Sequence, residues 1–153
     1  MPKWSRHIIE EVTRNLVGEW SMPPEKARRR EDELRKHFPE AWVEGYEPLL
    51  NVMANHPKDR HVLAAAVHSS SELIVTFDKR HFPVSSLLPW EIELQGPSMF
   101  LRGMYELDSI LFVRKLHEQA ANIGMSLGDL LVRLEKTVAS FVRFFREEQG
   151  IDH

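Results

Sequence analysis

Apolar residues recur at helical spacing over residues 5–20, SRHIIEEVTRNLVGEW. Ile8, Ile9, Val12, Leu16 and Trp20 form one stripe, and Ser5 stands where an N-cap is needed. The Pro23-Pro24 pair ends this helix and opens a second over residues 24–37. Acids and bases alternate along that second helix, which reads as a solvated face. Residues 41–46 (AWVEGY) predict a short strand, and residues 47–54 a helical turn. Residues 59–68 predict a compact helix whose alanines suit close packing on a sheet. Leu73 to Phe77 (LIVTF) is an unbroken apolar and β-branched run, the pattern of a strand buried on both faces. A further short strand is expected over residues 92–95. Strands alternating with helices argue for an α/β fold built on a parallel sheet.

The pattern changes near residue 97, beyond which no strand is expected. Residues 106–122 predict one helix. Ser126-Leu127-Gly128-Asp129 resembles a capping box and opens another. That last helix carries Leu127, Leu130, Leu131, Leu134, Val138, Phe141, Val142 and Phe145 on one face. Such a face must be buried, and the α/β domain or a partner is the expected cover. The chain therefore divides into an α/β domain over residues 1–98 and a C-terminal helical extension over residues 99–153.

Composition narrows the class. The chain has 153 residues, 42% hydrophobic and 28% charged, which supplies a core and argues against intrinsic disorder. There is no run of eighteen apolar residues and no apolar signal region at the N-terminus. With no cysteine, disulfides and thiolate metal sites are excluded, and a cytoplasmic location is expected. A net charge of −3 does not mark a nucleic-acid binder, so local distribution matters more than the total.

The chemistry concentrates in residues 55–83, NHPKDRHVLAAAVHSSSELIVTFDKRHFP. Asp59 opens an apolar helix, and Asp78 follows the LIVTF strand. In an open α/β sheet, side chains converge beyond the carboxyl ends of the strands. Two carboxylates brought together there could hold a divalent cation. Each also has an ordinary reading. Asp59 would be an N-cap, stabilising its helix by about 1 kcal/mol, and Asp78 a turn residue. Lys58 and Arg60 flank the first acid, and Lys79 and Arg80 follow the second. They suit a phosphate backbone, or simply solvated loops. His56, His61, His68 and His81 lie around the motif, with His61 and His68 on one helix face. No HExxH pairing is present, so a zinc site is not favoured; His56 or His81 could contact phosphate.

This segment resembles the PIN-domain ribonucleases, the family that includes VapC-type toxins. In that family an acid opens a helix and a second site follows a TF-like strand end, where Asp59 and Asp78 stand here. WSRHIIEEVTRNL is similar to the family's earlier helix, which contributes a glutamate. Glu11 is the aligned residue and Glu10 the adjacent alternative; the two lie about 100° apart around the helix, so only one can face the site. From about residue 100 the chain also resembles the helical extension of one VapC-like subgroup. The resemblance implies a truncated PIN-like (Rossmann-like) parallel sheet flanked by helices. It implies a Mg²⁺- or Mn²⁺-dependent endoribonuclease, the toxin of a toxin–antitoxin pair. Glu11, Asp59 and Asp78 would be catalytic and would hold the metal, and Lys58, Arg60, Lys79 and Arg80 would hold RNA. A small antitoxin protein would be the partner.

The family opens on a hydrophobic strand ending in an aspartate and then a helix, and this chain is expected to begin after both. That departure is expected to expose strand edges and to remove one carboxylate. A late start codon, a deliberate fragment, or a natural remnant would each explain it, and a homodimer could fill the gap. The alternative function is a non-catalytic remnant that binds RNA or an antitoxin. A third reading, an aspartate that accepts phosphate, fits less well because such domains place that acid on an early strand.

Overall fold

In the computed structural model, which describes residues 1–152, Ser5 ends a strand and begins a helix. Strand β1 (Trp4–Ser5) runs parallel to β2 (Trp42–Val43), with Trp4 opposite Trp42 and Ser5 opposite Val43. The buried Ser5 hydroxyl accepts the Ile8 N–H at 3.2 Å and so caps α1 (Arg6–Gly18). The Trp4 ring meets Phe38 and Trp42 edge-on, and the Arg35 guanidinium lies 3.9 Å over Trp42. Helix α2 (Pro24–His37) starts on a proline, whose missing N–H has no helical partner to lose there. It buries only Ala27, as its alternating charges predict.

Two short 3-10 turns, Glu47–Val52 and Pro57–Asp59, lead into α3 (Arg60–His68). Leu63, Ala64, Ala65 and Ala66 of α3 are buried with Val43, Tyr46, Met53, Ile74, Phe82, Leu87 and Ile92. The run of alanines lets α3 lie close to α1 and to the 47–52 turn. After α3 come β3 (Leu73–Val75), α4 (Val84–Leu87) and β4 (Glu93–Gln95). β3 and β4 form a second two-stranded sheet, flanked by hydrogen bonds from Glu93 N to Glu72 O (2.8 Å) and from Thr76 N to Gln95 O (3.0 Å).

The architecture is thus α/β, with two small parallel sheets among many helices, where one parallel sheet was expected. Each strand has a single neighbour, and no described strand bridges the two ladders. The same fact corrects the expectation for LIVTF. Only Ile74 is buried, whereas Val75 and Phe77 are 40% and 67% exposed. Burial alternates along β3, as in a strand covered on one face.

The residues after β4 are helical: α5 (Pro97–Leu107), α6 (Ser109–Asn122) and α7 (Leu127–Gln149). The helix expected over 106–122 is α6, which starts at Ser109, and α5 precedes it, largely over residues where no helix was expected. Asp108 leaves helical geometry (φ −154°, ψ 87°), and its carboxylate accepts the Leu111 N–H at 2.9 Å, capping α6. The expected cover for the last helix is corrected too. Its apolar face packs on α5 and α6, where Leu101, Tyr105, Phe112 and Leu116 meet Leu131, Val138, Phe141, Val142 and Phe145. Ser126 caps α7 by accepting the Asp129 N–H at 3.0 Å. Val138 interrupts the helix with non-helical torsions.

The chain folds into two compact units. One comprises residues 1–74 and 78–94; the other comprises residues 75–77 and those from 95 onward. Among the described residues no helix is long and apolar enough to cross a membrane.

Candidate metal centre

Asp59 stands at the N-cap position of α3, yet its side chain makes no capping hydrogen bond. Its carboxylate is buried and turned instead to the loop after β3, where Oδ2 lies 2.7 Å from His81 Nδ1. Backbone and side-chain bonds fix the two loops together. The Asp59 N–H donates to His56 O at 2.9 Å, and the His56 N–H donates to His81 O at 3.0 Å. The buried Asn55 side-chain amide donates to Asp59 O at 2.9 Å, and the Asn55 backbone carbonyl accepts from Arg60 Nε at 3.2 Å. The His56 and His81 rings stack with centroids 4.0 Å apart. Asp78 heads the Lys79–His81 turn and is exposed. One ligand atom each from Asp59, Asp78 and His81 falls within 4.8 Å of the others.

A second cluster lies in the same unit. His7 and Glu11 sit one turn apart on α1, and His61 faces them from α3. His61 Nε2 is 3.5 Å from Glu11 Oε2, and the His7 and His61 rings stack at 3.7 Å. His61 is only 3% exposed, and neither ring nitrogen has a hydrogen-bond partner. Such an orphaned buried polar group costs about 1–3 kcal/mol. Burial pushes the His61 pKa below its ordinary value and His7 pushes it further, against the pull of Glu11 and Asp59.

The structure therefore brings Asp59 and Asp78 together with His81, and places Glu11 in the neighbouring cluster. It also separates the two glutamates of α1. Glu10 is exposed and pairs with Arg6 at 3.2 Å, while Glu11 is half-buried and faces His61. Lys58, Lys79 and Arg80 are exposed around the Asp59 cluster. Arg60 is partly buried, with its Nε engaged by Asn55. Sequence reasoning passed over His7, although its i, i+4 spacing to Glu11 on a helix was a readable signal. It treated His81 as a phosphate contact because nothing local shows that the ring reaches Asp59.

Donor chemistry supports a cation at either cluster. Two carboxylates with one imidazole, or two imidazoles with one carboxylate, suit a divalent ion of borderline character. Fold and clusters together define a class: an α/β protein whose helix ends and strand ends carry carboxylate–imidazole groups with metal-ligand spacing. Over 67 residues the chain is 46% identical to a Mycobacterium tuberculosis (strain ATCC 25618 / H37Rv) protein described as "Putative ribonuclease VapC50". The match takes in 44% of this chain and 40% of that protein, so the chain spans about two fifths of this relative's length. The likeness is partial and is confined to those 67 residues. No family model and no solved structure matches the chain.

Proposed function

We propose that the chain is a metal-dependent endoribonuclease of the PIN type, the toxin half of a toxin–antitoxin pair. The observation that carries this reading is the Asp59 carboxylate. It forgoes the cap bond its position offers and lies buried against His81, within ligand distance of Asp78. The partial relationship to a protein described as a ribonuclease supports the same direction.

Asp59, Asp78 and His81 would hold the ion. An imidazole in the set favours Mn²⁺ over Mg²⁺, which prefers an all-oxygen shell. When bound, a divalent ion supplies a water of lowered pKa and neutralises charge growing on the phosphate. The protein's own groups do the positioning. Asn55 and the His56–His81 backbone bond hold the two ligand loops in register. Lys58, Lys79 and Arg80 draw the phosphate backbone to the exposed side, where Asp78 lies. Arg60 contributes chiefly by holding Asn55. Glu11 completes the acidic surroundings from the adjoining cluster. A small protein that covers this face would be the natural inhibitor.

The test is cleavage of a mixed RNA pool by the purified chain with Mn²⁺, with Mg²⁺ and with EDTA, beside Asp59→Asn. Cutting that needs the ion and is lost in the variant is expected. A folded chain that binds the pool without cutting it would overturn the nuclease reading and favour a non-catalytic RNA-binding protein.

A further inference from the structure

We propose that His7, Glu11 and His61 form a second, separate metal site, selective for a nitrogen-preferring transition ion such as Zn²⁺. This site does not depend on the nuclease reading. Three observations meet there. His7 and Glu11 are an i, i+4 pair on α1, so a single helical turn presents an imidazole and a carboxylate on one face. His61 closes the set from α3, with its Nε2 3.5 Å from Glu11 Oε2. All three ligand atoms lie within 4.8 Å of one another.

The independent pointer to a ligand is His61 itself. Its side chain is 4% exposed and is turned into the cluster, and neither ring nitrogen has a hydrogen-bond partner. Buried polar groups are nearly always satisfied, and an exception calls for a missing partner. An ion accepting the Nε2 lone pair is such a partner. The stacked His7 ring, 3.7 Å away, lies beside it on the exposed side.

Ligand identity sets the ion. Imidazole suits zinc, copper, iron and nickel, whereas Mg²⁺ and Ca²⁺ take oxygen. Two histidines and a carboxylate supply three protein ligands and leave a fourth position open, the arrangement of hydrolytic rather than structural zinc. His7 is exposed, so the open position faces solvent.

The experiment titrates Zn²⁺ alone into the whole chain against a chelating dye, then Co²⁺ followed by its visible absorption. Four proteins are compared: the parent chain, Asp59→Asn/Asp78→Asn, His7→Ala and Glu11→Gln. His7 is exposed and Glu11 half-buried, so both single variants should fold; equal metal-free melting curves establish this. The double variant is expected to keep one tight Zn²⁺ and an unchanged Co²⁺ spectrum. His7→Ala is expected to weaken Zn²⁺ at least about tenfold and to change the spectrum, as is Glu11→Gln. Loss of the tight Zn²⁺ in the double variant would place the ion at the other cluster and overturn the proposal. So would full Zn²⁺ affinity in His7→Ala, or no tight Zn²⁺ in the parent chain.

Discussion

A double-mutant cycle on Asp59 and His81 separates the two roles that Asp59 could play. As a helix cap, Asp59 would stabilise α3 through a backbone N–H, and His81 would not matter to it. As observed, the carboxylate lies 2.7 Å from His81 Nδ1, and its side chain is 10% exposed against 26% for the imidazole. Hydrogen bonds to a charged group contribute about 1.5–3 kcal/mol when buried. The half-open imidazole edge lets solvent compete, which brings the expected coupling down to about 1 kcal/mol. The cycle uses Asp59→Ala, His81→Ala and the double variant, each unfolded in urea with EDTA present. Loss of the His56–His81 stack occurs on both His81→Ala edges and cancels. The single variants should together cost about 1 kcal/mol more than the double variant. Additivity to within about 0.3–0.5 kcal/mol would refute the contact and return Asp59 to a capping role.

Other outcomes follow from the same structure. Burial lowers the His61 pKa, so the unfolded chain binds more protons than the folded one once the pH falls below the ordinary histidine value of about 6.5. Metal-free stability should therefore decline on acidification from neutrality toward the lowered folded-state pKa, and a His61→Gln variant should lose that part of the slope in urea titrations at several pH values. Phe145 is fully buried among Tyr105, Phe112 and Phe141. Phe145→Ala should cost about 3–5 kcal/mol by urea unfolding, and a cost under about 1 kcal/mol would mean that this core is not packed as described. Ser126→Ala should cost about 1 kcal/mol through the lost α7 cap, with Ser126→Asn nearly neutral in the same assay.

Local chemistry was legible in the chain. Ser5 and Ser126 sit at helix starts because their hydroxyls satisfy orphan backbone donors, and each needs only three residues to do so. The apolar face of α7 and the charged surface of α2 follow from 3.6-residue periodicity alone. Pro24 fixes the start of α2 in the same way. The Asp108 break between α5 and α6 carried a readable signal as well, an Asp-Ser step inside an apolar run, but the periodicity on either side masked it.

The candidate site was legible as residue types rather than as partnerships. Asp59 and Asp78 stood out because acids at a helix mouth and a strand end are placed where ligands gather. Their imidazole partner did not, because His81 reaches Asp59 across 22 residues and its position depends on how two loops are tied. Glu10 and Glu11 are equivalent in local sequence, and only the packing of α1 against α3 turns one to His61 and the other to Arg6 and solvent. The LIVTF run shows the same limit from the other side. Its composition fits a strand covered on both faces, yet exposure depends on what lies beside it. Sequence by itself determined helices, caps and the supply of ligand-type side chains, since those depend on contacts within one or two turns. Tertiary structure alone decided the split into two small sheets and the sorting of acids and histidines into two clusters, since those depend on which distant segments share a surface.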